Sequence, residues 1–218
     1  MKTVLTGLIL LCVHTAAAAL DANTSAVELN TPPTAPPSQS EPASMPELNA
    51  QSVLVYDQVS GRPLLAKNAT MQTPIASITK LMTAMLVINA GLPLDERITL
   101  TSDDRDTLKG TGSRLAIGAH YTRGQLLHLA LIASDNRAAH ALARSYPGGL
   151  ERFVATMNRT ARVLGMRDTV YVEPTGLSSS NRSTALDLAK LADYAYQNYP
   201  EIRQITATGQ YTLGTQRV

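Results

Sequence analysis

The sequence predicts a mixed fold of the α/β class in its α+β form: an antiparallel sheet edge followed by a helical lobe. Three observations carry this. Two short β-type runs meet across a glycine turn between Ser52 and Ala66. A succession of apolar, helix-period runs then extends from Ile75 to Asn198. Little β signal returns afterwards. At 218 residues, 44% hydrophobic and 17% charged, the chain can bury one globular core and carry appendages. A net charge of +2 is too small to argue for nucleic acid.

Taken in order, Met1 to Ala19 reads as a secretory signal, with Lys2 as the charged start, Val4 to Val13 as the apolar centre and Ala16 to Ala19 as small cleavage residues. That centre is too short to span a bilayer, so no transmembrane anchor is expected. Cys12, the one cysteine, lies inside the signal, which leaves the exported chain with neither a disulfide nor a thiol nucleophile. Residues 20–46, rich in Pro, Ala, Ser and Thr, read as a disordered linker, and the folded domain spans residues 47–218. The expected location is a bacterial periplasm.

Within the domain, Ser52–Tyr56 and Pro63–Ala66 form a hairpin around Ser60-Gly61-Arg62. Thr73 and Pro74 read as the N-cap and first residue of a buried helix over Ile75–Ile88, stopped at Asn89-Ala90-Gly91. Arg97–Leu100 reads as a strand and Ser102–Gly112 as a loop. Thr122 and Gln125 make a capping box ahead of a helix over Leu126–Ala133. Ser134-Asp135-Asn136 interrupts it, and a second helix resumes over Arg137–Ser145. A helix over Gly149–Leu164, a strand over Thr169–Val172 and a turn over Glu173–Leu177 follow. Ser183 or Thr184, with Asp187, caps a helix to Asn198, and an irregular tail begins at Pro200.

Two places carry candidate chemistry. Lys80 is the only charge between Asn68 and Leu94, three residues after Ser77 on the same helix face. It is either snorkelling to water or buried for use, and burial would make a neutral amine available to deprotonate a serine. Ser134-Asp135-Asn136, taken alone, is a set of good helix caps. The combination of Ser-x-x-Lys at a buried helix start with Ser-x-Asn at a helix junction is the motif set of penicillin-recognising serine enzymes.

On Pro74–Met85, Asn136–Ala139, Tyr146–Gly149 and Val172–Leu177, the chain resembles the low-molecular-mass penicillin-binding proteins. These are the D-alanyl-D-alanine carboxypeptidases and endopeptidases of serine peptidase family S11, and the murein endopeptidases among them match best. The resemblance covers roughly Gln51 to Leu213. It implies a beta-lactamase/transpeptidase-like fold, an antiparallel sheet flanked by helices plus a helical lobe. It also implies a serine nucleophile at Ser77, a general base at Lys80, a proton relay at Ser134 and a substrate amide contact at Asn136. The implied partners are peptidoglycan stem peptides and beta-lactam antibiotics; no cofactor or metal is implied.

The family's third motif, Lys-Thr-Gly or Lys-Ser-Gly on a sheet strand, binds the substrate carboxylate and lends an oxyanion donor. It does not follow Ser134; Lys109-Gly110-Thr111-Gly112 has the residue types in another order and precedes it. The expectation is a C-terminally truncated domain with later sheet strands missing, an uncovered face on the Ser77 helix and little activity. A beta-lactamase-type hydrolase and a non-catalytic peptidoglycan-binding remnant are the alternatives.

The remaining candidates have plainer readings. His120, His128 and His140 lack metal-ligand spacing. Glu173 could serve as a deacylating base, but Glu-Pro-Thr-Gly-Leu reads better as a turn. Tyr194, Tyr196 and Tyr199 read as helix packing, and Met71, Met82, Met85 and Met166 as core filler.

Overall fold

The computed structural model describes residues 48–213 and 216–217. The signal and linker readings, residues 1–19 and 20–46, lie outside the described residues.

Strands β1 (Val53–Tyr56) and β2 (Pro63–Lys67) pair antiparallel, with Val53 opposite Lys67 and Val55 opposite Leu65. Asp57 closes the turn: its carboxylate accepts from the Ser60 N–H at 2.7 Å, and Gly61 takes a φ of 67° that a side chain would resist. The hairpin is tied to a later helix, where Gln58 donates to Asp193 at 2.7 Å.

Thr73 and Pro74 do not cap a helix. They form β3 (Thr73–Pro74), antiparallel to β6 (Arg182–Ser183). Pro74 is tolerated there because a two-residue pairing demands few N–H donors. A short 3-10 helix, Ala76–Ile78, intervenes before α1 (Thr79–Asn89). The 169–172 stretch is likewise not a strand but a single bridge between Val170 and Arg182, because its partner segment is too short to extend the ladder.

Strand β4 (Arg97–Thr99) is as expected, but its partner β5 (His120–Thr122) carried no sequence signal beyond the cap at Thr122. The loop between them contains a 3-10 helix, Ser102–Asp104, closed by a Thr101–Asp104 capping box. Helix α2 (Arg123–Ile132) starts on the predicted box: Gln125 N–H donates to Thr122 Oγ1 at 3.1 Å, and Gln125 Oε1 accepts from the Thr122 N–H at 2.8 Å. Helices α3 (Asn136–Arg144), α4 (Gly149–Val163) and α5 (Ala185–Asn198) follow; Thr184 caps α5 by accepting from Asp187 N–H. Pro200 opens a helix rather than an irregular tail. In α6 (Pro200–Thr206) it occupies the first turn, where its missing N–H has no intrahelical role. Ile202 and Ile205 hold α6 to the core. Strands β7 (Thr212–Leu213) and β8 (Gln216–Arg217) form a last small hairpin. All pairing among the described residues is antiparallel, in small two-stranded ladders.

Helix α1 lies at the centre, packed against α2, α3, α4 and α5. Its Met82 and Met85 meet a core that includes Leu126, Leu142, Phe153 and Leu191. Ala138, Ala139, Ala141 and Ala143 are all fully buried, and their small side chains let α3 approach closely. Contrary to the expected uncovered face, α1 buries Thr79, Lys80 and every residue from Met82 to Val87, with Leu81 and Ile88 half-buried. Met71, Tyr194 and Tyr196, read as packing residues, are exposed, whereas Met166 and Tyr199 are core. No helix of the described residues is long and apolar enough to cross a membrane.

Candidate active site

Ser77 lies in the 3-10 helix that feeds α1, exposed at the surface, and Lys80 lies in the first turn of α1, 3% exposed. A lysine ammonium has three N–H donors and no acceptor. All three are used: Lys80 Nζ donates to Ser77 Oγ at 3.1 Å, to Asn136 Oδ1 at 2.7 Å and to the Thr175 carbonyl at 2.8 Å. Burial pushes the amine down to about 8, against the opposing pull of the Glu173 and Asp135 carboxylates.

Ser134 sits between α2 and α3 with φ of 54°, an unusual conformation for a serine. This kink turns its hydroxyl back to α1, where Ser134 Oγ donates to Ser77 Oγ at 2.8 Å. Asp135 caps α3 by accepting from Ala138 N–H at 2.9 Å, so the cap reading of the triplet holds for this residue. Its other oxygen accepts from Ser113 Oγ at 2.7 Å, fixing the preceding loop. Asn136, the first residue of α3, faces Lys80 with its amide oxygen and donates from Nδ2 to Thr111 Oγ1 at 3.0 Å.

The four residues singled out in the sequence, Ser77, Lys80, Ser134 and Asn136, thus meet in one hydrogen-bonded cluster. The chain also builds this cluster from residues that sequence reasoning passed over. Thr111, set aside with Lys109-Gly110-Thr111-Gly112, orients the Asn136 amide. Thr111 is held in turn by Asp106, whose carboxylate accepts from Thr111 Oγ1 at 2.6 Å and from the N–H groups of Leu108, Lys109 and Thr111. The Asp-x-x-x-x-Thr spacing was a detectable turn signal. Thr175 acts through its carbonyl, which every residue type carries, so no sequence signal could have found it.

Glu173 is not free to act as a base. Its carboxylate accepts from Thr175 N–H at 2.7 Å, Gly176 N–H at 2.7 Å, Asn181 Nδ2 at 2.9 Å and the Thr175 hydroxyl. The three histidines are structural: His120 pairs with Thr99, His128 stacks on Tyr211, and His140 binds Asp104.

Two cavities flank the cluster and share Asn136. One, of 640 Å³, is lined by Ser113, Leu115, Ser134 and Leu213 among others; the second, of 420 Å³, by Asp103, Asp106, Glu173 and Leu177 among others. The arrangement presents an exposed serine hydroxyl, a buried amine poised to take its proton, and a second hydroxyl in contact with the first. Chemically it is equipped for nucleophilic attack on a carbonyl and proton transfer to a leaving group.

A model of the D-alanyl-D-alanine carboxypeptidase family, peptidase family S11, matches residues 39–217. The chain is 47% identical over 167 residues to the D-alanyl-D-alanine endopeptidase of Pseudomonas aeruginosa, covering 77% of this chain and 54% of that one. It is 44% identical over 166 residues to the D-alanyl-D-alanine endopeptidase of Escherichia coli, covering 76% and 53%. Among solved structures, a variant of the Streptomyces K15 DD-transpeptidase superposes with a TM-score of 0.72 at 29% identity, covering 80% of this chain and 70% of that one. The D-alanyl-D-alanine carboxypeptidase DacD of Francisella tularensis gives 0.68 at 32%, covering 76% and 41%. The chain spans about half the length of the curated relatives it matches, at 54% and 53% of the two endopeptidases.

Proposed function

The chain belongs to the D-alanyl-D-alanine carboxypeptidase family, peptidase family S11, and from that premise we propose that it is a serine D-alanyl-D-alanine endopeptidase acting on peptidoglycan peptides. The observation that carries this reading is the Lys80–Ser77–Ser134 chain of hydrogen bonds, 3.1 and 2.8 Å long. Ser77 Oγ attacks the carbonyl carbon of a D-alanyl amide bond as Lys80 takes the hydroxyl proton. The proton passes by way of Ser134 to the leaving amine as the C–N bond breaks, leaving an acyl ester on Ser77. Water then cleaves the ester, with Lys80 again as the base. Asn136 spends one amide N–H on Thr111 and keeps the other for the substrate backbone. Relatives named as endopeptidases stand at 40–47% identity and those named as carboxypeptidases at 27–35%, which favours the endopeptidase reading.

The same serine takes beta-lactams, whose ring carbonyl occupies the place of the amide. Glu173 is consumed by its own turn and is not placed to activate water against the adduct, which supports a peptidase with a long-lived penicilloyl ester over a beta-lactamase. Mass spectrometry of penicillin-treated protein is expected to find the adduct on the Ser77 peptide, lost in Ser77→Ala and in Lys80→Arg, whose guanidinium cannot deprotonate. Labelling that persists in Ser77→Ala, or sits on Ser134, refutes the assignment. The reading also includes export to the periplasm through the residue 1–19 signal; a mature protein that N-terminal sequencing finds still beginning at Met1 refutes that part.

A further inference from the structure

The Glu173–Leu177 turn does more than connect. Its backbone touches α1 and the segment before it at three points: Thr175 O receives Lys80 Nζ at 2.8 Å, Pro174 O receives Thr83 Oγ1 at 2.7 Å, and Gly176 lies against the Ala76–Ser77 peptide. A Cβ on Gly176 would stand 1.8 Å from the Ala76 carbonyl oxygen, and Gly176 has φ of 87°, so only glycine lets the turn seat this closely. Ala76 itself has φ of 45°, a left-handed conformation in the residue that presents the nucleophile. Asn181 adds a fourth tie, from Nδ2 to Thr79 Oγ1 at 3.1 Å, while the same amide group holds Glu173. The shape of the turn comes from one side chain, since Glu173 gathers the N–H groups of Thr175 and Gly176 on its two oxygens.

We propose that Glu173 is the positioning residue of this site: its carboxylate folds the turn against Ser77 and Lys80 and supplies a negative charge behind the carbonyl that receives the buried amine. This rests on the reading of Ser77 as nucleophile and Lys80 as base. The charged groups that act on Lys80 are Glu173 from the turn and Asp135 from the α2–α3 junction. The remaining neighbours, Ser77, Asn136 and the Thr175 carbonyl, are neutral. Glu173 therefore works in two ways, through geometry and through charge, and the two can be separated.

The test follows the ε-carbon NMR signal of Lys80 against pH in protein carrying 13C-labelled lysine, assigned with Lys80→Arg, together with the rate of penicillin acylation. In the unmodified protein the Lys80 signal is expected to titrate near pH 8. Glu173→Gln removes the charge and sets an amide N–H against the turn's own donors. Its Lys80 titration is expected about 0.5 to 1 pH unit lower, with the plateau acylation rate down about 10- to 100-fold. Glu173→Asp keeps the charge on a shorter arm, so the titration should stay near its original midpoint while the plateau rate falls. An unmoved Lys80 titration in Glu173→Gln, or an undiminished rate in either variant, overturns the proposal. Should Glu173→Gln fail to fold, Glu173→Asp decides it alone. An unmodified protein whose Lys80 titrates near 10.5, or that takes no penicillin, refutes the reading of the site itself.

Discussion

As the proposed base, Lys80 has to be buried to work and solvated enough to be tolerated, and the structure resolves this with three acceptors and the negative charge of two carboxylates. Its amine is held near 8 instead of 10.5, chiefly by burial. A base must be neutral, so acylation of Ser77 is expected to climb with pH through a midpoint of about 8 and level off above it, as a pH profile of penicillin labelling can check. A profile that is flat between pH 6 and pH 9 argues against Lys80 as the base. The same depression makes the ammonium destabilising in the fold. That penalty is full below pH 8 and is relieved as pH rises from 8 towards 10.5, because the unfolded chain then binds more protons than the folded one. Stability is thereby given up at the proposed base, a common trade at active sites.

Among the elements, the short 3-10 helix Ser102–Asp104 has an effect out of proportion to its length. Asp104 is fully buried, and Arg144 and His140 of α3 reach it at 2.8 and 2.9 Å. Burial alone would raise its carboxyl; the hydrogen bonds from His140 and Arg144 outweigh this and hold it well below the usual carboxylate range. This ion pair fastens the loop that carries Asp106 and Thr111 to the helix that carries Asn136. Asp104→Ala takes the carboxylate from Arg144, which keeps its hydrogen bond to the Thr99 carbonyl and part of its solvent contact, and is expected to cost about 1 to 3 kcal/mol in urea unfolding at neutral pH. Because the folded value is depressed, the stabilisation is present above the ordinary carboxylate range near 4 and is lost as pH falls below it. The difference between Asp104→Ala and the unmodified protein should therefore shrink in strong acid. A variant as stable as the parent at neutral pH would show the pair to be ornamental.

For the molecule as a whole, α1 is the shared wall of four helical contacts, and the cluster stands at its N-terminal end. Met85, 0% exposed at its centre, is expected to carry about 2 to 5 kcal/mol on truncation to alanine. With no tryptophan in the sequence, far-ultraviolet and tyrosine circular dichroism are the probes. Coincident, downshifted transitions for Met85→Ala are expected if α1 joins the helices into one cooperative unit. Separate transitions would show that the lobe melts independently of α1.

What the sequence determined by itself was whatever rests on side-chain identity at short range. Thr122 with Gln125 and Thr184 with Asp187 were legible as caps because a side chain bonds to a backbone group three residues away. The Ser77–Lys80 spacing was legible because one helical turn brings the two together, and Ser134 and Asn136 were legible through the resemblance. Tertiary structure decided the rest. Thr73-Pro74 became a strand because Arg182-Ser183 lay beside it, and β5 formed because β4 did, since ladder bonds join backbones that differ little between residue types. Thr175 reached Lys80 through a carbonyl, and Gly176 reached Ser77 by lacking a side chain. Contacts through backbone atoms leave almost no mark on the sequence, because every residue carries those atoms, and a glycine that such a contact requires reads in the sequence only as a turn.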